Sequence, residues 1–145
     1  SVTYLLDVNI LIPLLDSSHI HHTAAFGWFS AIGGKDWASC PLTETGLLRI
    51  MSNPRYPNWA GKPVEIAALF NYMRQMTEHR FWGDEISLLD PGIFDIEEIR
   101  KPGAITDVYL LGLARFKNGK LATFDRRINA NAVIGGHEAL HVIDT

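Results

Sequence analysis

Four acidic residues in this chain sit where catalytic chemistry could be assembled. "LLDVN" carries Asp7 at the end of an apolar run, with Asn9 two residues on. "LATFDRRI" carries Asp125 at the end of another, with Thr123 two residues before it. Glu44 in "TETGLLRIM" and Asp107 in "ITDVYLLGLA" each open a segment with helical apolar spacing. A carboxylate inside an apolar segment is costly unless a helix N-terminus or a cation compensates it. Any one of these acids taken singly is explained by helix capping. Four gathered together are not, because two like charges about 4 Å apart repel by about 4 kcal/mol at an effective dielectric near 20. Such a cluster raises pKa values and calls for a divalent cation. Oxygen donors without clustered Cys or His suit Mg2+ or Mn2+. Asn9 and Thr123 add neutral oxygens able to orient a carboxylate or a bound water.

The surrounding pattern says which elements must position these residues. Val2–Leu6 reads as a strand and Asn9–Leu15 as a helix. "TAAFGWFSAI" reads as a helix ending at Gly33-Gly34, "KDWASC" as a second strand, and Pro41 to about Asn53 as a helix with proline in its first turn. The proline-rich "NPRYPNWAGKP" is a loop. "VEIAALFNYMRQMTEH" is a helix with Ile66, Leu69 or Phe70, Met73 and Met76 on one face. "EISLLD" is expected as a third strand and "IFDIEEIR" as a short helix. "ITDVYLLGLARFKNG" reads as a helix stopped at Asn118-Gly119, "KLATFD" as a fourth strand, "RRINANAV" as a turn or short helix, and "LHVID" as an edge strand. This alternation predicts an α/β fold with a mainly parallel sheet of four to five strands and helices on both faces. Strand ends and following helix starts then share one edge, where sites form in such sheets.

The bulk numbers set limits. The chain has 145 residues, 47% hydrophobic and 20% charged, which suits a single globular domain over residues 1–145. With a net charge of −3, contact with nucleic acid must come from a local basic patch. Arg126 and Arg127 directly follow Asp125, Arg49 and Arg55 lie beyond Glu44, and Arg115 and Lys117 are further candidates. The lone Cys40 excludes an internal disulfide and fits a reducing compartment. No apolar run reaches the ~20 residues of a membrane span, and no secretory signal is visible, so a cytoplasmic protein is expected. No glycine-rich phosphate loop points to a nucleotide cofactor.

"LLDVN", "TETGLLRIMSNP", "ITDVYLLGLA" and "LATFDRRI", in this order and spacing, resemble a PIN-domain ribonuclease, in particular the VapC-type toxins of prokaryotic toxin–antitoxin pairs. The resemblance spans almost the whole chain. It implies a three-layer α/β/α sandwich and Mg2+-dependent (or Mn2+-dependent) hydrolysis of RNA phosphodiesters by a metal-activated water. By position, the family's acids fall on Asp7, Glu44, Asp107 and Asp125, its asparagine on Asn9 and its threonine on Thr123. Asp7 and Asp107 are then the main metal ligands, with Glu44 and Asp125 completing the pocket and Glu44 a candidate proton acceptor. The resemblance further implies a homodimer and a VapB-type antitoxin that reaches an arginine toward the acids.

Other features read more simply. His19, His21 and His22 cannot share one helical face and have no partner cysteines, so they read as surface or helix-start residues rather than a zinc site. Phe26, Trp28 and Phe29 read as core. A receiver-like phosphoacceptor domain also uses an acidic sheet edge, but it expects paired acids at the first strand and gives Glu44 no role. A phosphatase with Asp7 as nucleophile wants an acid where Asn9 stands. A catalytically inactive PIN fold that only binds RNA or protein does not need the full acid set.

Overall fold

The computed structural model describes all 145 residues. Five short strands form one parallel sheet: β1 (Tyr4–Leu6), β2 (Trp37–Ser39), β3 (His79–Phe81), β4 (Lys120–Thr123) and β5 (Leu140–Val142), in the order β3-β2-β1-β4-β5. The connections carry the helices α1 (Val8–Leu15), α2 (His22–Ala31), α3 (Pro41–Met51), α4 (Pro63–Met76), α5 (Ile105–Phe116) and α6 (Gly136–Ala139). No helix is long and apolar enough to cross a membrane.

The three central strands, β1, β2 and β4, are buried on both faces, so alternate residues feed two cores. Leu5, Ala38 and Leu121 face α5 and α6 in a cluster with Val108, Leu111 and Ala139. Leu6, Trp37 and Ala122 face the other way, onto α1–α4, through Ile10, Phe29, Leu47, Ile66 and Phe70. This is the expected three-layer α/β/α sandwich.

Four local expectations need correction. The third strand is His79–Phe81, not "EISLLD". Ile86 and Leu88 alternate inward and pack on the α5 core without joining a ladder, which mimics a strand pattern. The true strand is a largely exposed sheet edge whose residues, His-Arg-Phe, carry no apolar run. In "IFDIEEIR" only the 3-10 turn Ile96–Glu98 is helical. Of the aromatic trio in α2, Phe29 is buried and Trp28 half-buried, but Phe26 is exposed. At 100° per residue the three cannot share one face. On α4, likewise, Ile66 and Phe70 are buried while Leu69 and Met76 are exposed.

The end of α5 shows how tightly β4 is set. Asn118 takes the left-handed conformation (φ 57°), not Gly119. Gly119 donates its N–H to the Ala114 carbonyl (2.8 Å). A Cβ on Gly119 would lie 2.5 Å from the Thr3 carbonyl oxygen, just before β1. That atom is backbone within the β1–β4 ladder and cannot move aside. Gly119→Ala should therefore lower unfolding stability by about 1–3 kcal/mol in urea titrations. Asn118→Gly, at the left-handed position itself, should stay within about 0.5 kcal/mol. Equal effects of the two would show that close approach is not what selects glycine here.

Candidate active site

The register between β1 and β4 builds the centre of the site. Leu6 pairs with Ala122, and the Asp7 N–H donates to the Ala122 carbonyl (3.0 Å). Asp7 therefore faces Thr123, whose hydroxyl donates to Asp7 Oδ2 (2.8 Å). Asp7 occupies the N-cap position of α1, yet its side chain makes no capping hydrogen bond. Its residue exposure is 6%, and it takes part in none of the ion pairs. Asn9 closes the join: its Nδ2 donates to Thr123 Oγ1 (3.0 Å) and its Oδ1 accepts the Phe124 N–H (3.2 Å). Thr123 Oγ1 also accepts the Asp125 N–H (3.0 Å). One hydroxyl thus ties together both strand ends, and three of the residues singled out in the sequence meet on it.

Asp125 lies two residues beyond β4 rather than within it. Its Oδ1 accepts the Arg127 backbone N–H (2.8 Å) and the Arg127 Nε–H (3.3 Å), an Asx-type turn that accounts for part of its placement. Asp107 stands in the first turn of α5, where it neither caps the helix nor joins an ion pair. Burial pushes its carboxyl up to about 6, and the charges of Asp7 and Asp125 push in the same direction, with Arg127 opposing. Asp7 is also raised: burial dominates and Asp125 adds to it, against the Thr123 hydrogen bond and the N–H groups at the start of α1. Asp7, Asp107 and Asp125 therefore sense one another electrostatically, although they come from three separate parts of the chain.

Glu44 occupies the same sheet edge, one strand over, in the first turns of α3. Capping of that helix falls to Cys40 and Thr43, so Glu44 is free of that duty. Its Oε2 accepts from the Ser39 hydroxyl (2.7 Å) at the end of β2. Because the Ser39 hydrogen is used there, the contact of Ser39 Oγ with His79 Nε2 (2.7 Å) must have the imidazole as donor. His79 Nδ1 then accepts from Arg74 Nε (3.4 Å). Burial and Arg74 pull the His79 pKa down to about 4, which keeps the ring neutral. Sequence reasoning missed Ser39 and His79; the register Ser39↔Phe81 that brings β3 alongside β2 was hidden with β3 itself.

The donor set suits a hard divalent cation: all carboxylate oxygens, with three acids raising one another and Arg127 the one cation that opposes this. No three of these side chains already lie at ligating distance from a common point.

The basic candidates separate. Arg126, paired with the exposed Asp144 (2.6 Å), and Arg127 line an open cleft of about 650 Å³ beside Asp125 and Asn9. Arg49 and Arg55 are exposed and make no ion pair. Arg115 and Lys117 do not belong with the site. They follow from the far end of α5, where Arg115 lines a pocket with Val2 and Lys120, and Lys117 pairs with Glu85. Eight residues of helix separate Arg115 from Asp107, about 12 Å along the axis. The histidines also differ from one another: His22 donates to the Pro13 carbonyl (2.7 Å), whereas His19 and His21 line the cleft.

The raised Asp107 has a measurable consequence in the metal-free protein. Between its ordinary 3.8 and about 6 the folded state keeps a proton that the unfolded chain has lost. The penalty is absent below that window, grows through it and is complete above it. Asp107→Asn should raise Tm at pH 8 in chelator and leave it nearly unchanged at pH 4. A loss of Tm at pH 8 would contradict the repulsion.

The family model of the PIN domain matches residues 4–134. The chain is 38% identical over 134 residues to Ribonuclease VapC44 of Mycobacterium tuberculosis, covering 90% of this chain and 92% of that protein. It is 40% identical over 121 residues to Ribonuclease VapC38 of the same species, covering 83% and 84%. The fold matches the crystal structure of M. tuberculosis VapC20, described as a sarcin-ricin loop cleaving toxin, with TM-score 0.61 at 13% identity over 90% of this chain and 96% of that one. It also matches VapBC2 from Rickettsia felis bound to a DNA fragment from their promoter, with TM-score 0.59 at 13% identity over 98% and 99%. With one family model spanning most of the chain and relatives at this identity along most of their length, the protein belongs to the PIN-domain family, among its VapC-type members.

Proposed function

We propose that the chain is an endoribonuclease dependent on Mg2+ or Mn2+, acting in the cytoplasm as the toxin of a toxin–antitoxin pair. The observation that carries the reading is the buried Asp7 carboxylate, which lacks a cationic partner and stands within electrostatic reach of Asp107 and Asp125. The names of the relatives support the substrate class and the toxin role. Family membership leaves no place for the receiver-like and phosphatase readings.

Asp7 and Asp107 would be the main ligands of the ion, with Glu44 and Asp125 completing the pocket. A divalent cation bound there supplies charge stabilisation at the phosphoryl group and lowers the pKa of bound water. The chain's own groups do the rest. Thr123 fixes one Asp7 oxygen, leaving the other for the ion. Asn9 locks Thr123 and the Phe124 backbone, so the two strand ends cannot drift apart. Glu44, held by Ser39 through one oxygen, keeps the other free to accept a proton. Arg126 and Arg127 would meet flanking phosphates. Once gathered, the acids would also attract an arginine from a VapB-type antitoxin, a partner suggested by the VapBC2 assembly. A homodimer completes the reading.

Purified protein with total RNA and Mg2+ should produce discrete cuts that EDTA stops. Asp7→Asn should lower the rate more than about 100-fold, beyond the 10–100-fold typical of losing an outer partner, while the far-ultraviolet circular dichroism stays unchanged. Full cleavage by Asp7→Asn would overturn the assignment.

A further inference from the structure

Beyond Asn9, Asp125 and the two arginines, the cleft beside Asp125 has an aromatic lining that the hydrolytic reading does not use. Its walls are aromatic and its rim is cationic. Phe124 and His21 pack against each other as a tilted pair, with ring centroids 5.4 Å apart and planes inclined at 45°. Tyr56 lines the same cleft, and its hydroxyl donates to the buried Asp16. Asp16 also accepts from Asn58 Nδ2 (2.9 Å) and the Ser18 N–H (3.0 Å), so the loop carrying Tyr56 is pinned against the turn after α1. Phe124 is equally fixed, since its N–H is held by Asn9 and it stands between Thr123 and Asp125. Arg126 and Arg127 form the rim, and the Arg127 side chain is 91% exposed.

We propose that this cleft holds one unpaired RNA base next to the bond to be cut, stacked against Phe124 and His21, with its phosphate on Arg126 and Arg127. The inference rests on the ribonuclease reading. Three features select this occupant. The volume, about 650 Å³, falls within the ~300–1,000 Å³ of small-ligand pockets. Two arginines line the same cleft as the rings, the combination that single-stranded nucleic acid uses, with phosphate on the cation and base on the ring. The same arginines disfavour a cationic peptide. A base inside a duplex has no free face to present, so the substrate must be single-stranded at this position. A base held here is tied to the carboxylates through Phe124 and Asp125, adjacent residues of one turn, and would set which phosphodiester reaches them.

The test uses a short single-stranded RNA carrying one 2-aminopurine, in EDTA so that no cleavage intervenes. The Asp7→Asn protein should quench the fluorescence on binding. Adding Phe124→Leu or His21→Leu should abolish the quenching and weaken binding about tenfold. Adding Arg127→Gln should weaken binding while keeping the quenching. A fully paired duplex of the same sequence should not compete. The two stacking variants lie on different elements, so if one fails to fold, as judged by thermal unfolding, the other decides. Unchanged quenching and affinity in a folded stacking variant would overturn the proposal. So would a variant that keeps RNA binding but loses binding of an arginine-bearing peptide, which would make the cleft a peptide site. Cleavage by the unmodified protein with Mg2+ is measured separately: cleavage without quenching rejects the cleft alone, and quenching without cleavage rejects the ribonuclease reading alone.

Discussion

A single hydrogen bond, from the Thr123 hydroxyl to the Asp7 carboxylate, anchors the buried acid around which the site is arranged. It joins the ends of two adjacent parallel strands at the sheet's centre, where a carboxylate would otherwise be buried without a partner. It offsets only part of the cost: Asp7 remains raised, and Asp107 is raised further toward neutrality by burial and by its acidic neighbours. A hydrogen bond to a charged group contributes about 1.5–3 kcal/mol net, less than the ~4 kcal/mol by which two like charges about 4 Å apart repel at an effective dielectric near 20. The fold therefore carries an electrostatic load that its own side chains do not discharge, and a divalent cation would discharge it.

The architecture follows from that constraint. Pairing Leu6 with Ala122 is what sets Asp7 opposite Thr123. A slip of one residue would turn Leu5 and Leu6 to the wrong cores as well as separate the pair, so core packing and site geometry enforce the same register. Gly119, pressed against the Thr3 carbonyl, guards the other end of that ladder. On the neighbouring strand, the bonds running from Arg74 through His79 and Ser39 reach Glu44. Asp7 and Glu44 are thus each held by a hydroxyl at a strand end, and Asn9 and Asp125 open onto the cleft that Arg126 and Arg127 border.

Much of this was legible in the sequence because buried parallel strands and the helices after them leave strong local signals. Apolar runs ending in an acid located β1 and β4, and the first-turn acids located the starts of α3 and α5. Capping could have explained each acid. The structure removes that explanation for Glu44 and Asp107 and keeps part of it for Asp7, which the N–H groups at the start of α1 ease, and for Asp125, whose carboxylate organises a turn. What escaped was encoded non-locally. β3 has only three residues and no apolar alternation, so nothing in its own composition marks it, and His79 was hidden inside an apparent helix end. The clasp of Asp16 on Tyr56 spans forty residues of sequence and leaves no periodic trace. Arg115 looked close to the site because it shares a helix with Asp107, but a helix that starts at the site carries its later residues away from it.

The central claim is that Asp7 and Asp107, with their acidic neighbours, hold a divalent cation. Titration with Mn2+ followed by electron paramagnetic resonance reads this without any substrate. The unmodified protein should take up Mn2+ at pH 8, Mg2+ should displace it, and Asp7→Asn combined with Asp107→Asn should weaken binding more than about 100-fold. Equal Mn2+ affinity in the unmodified and doubly substituted proteins would contradict the account.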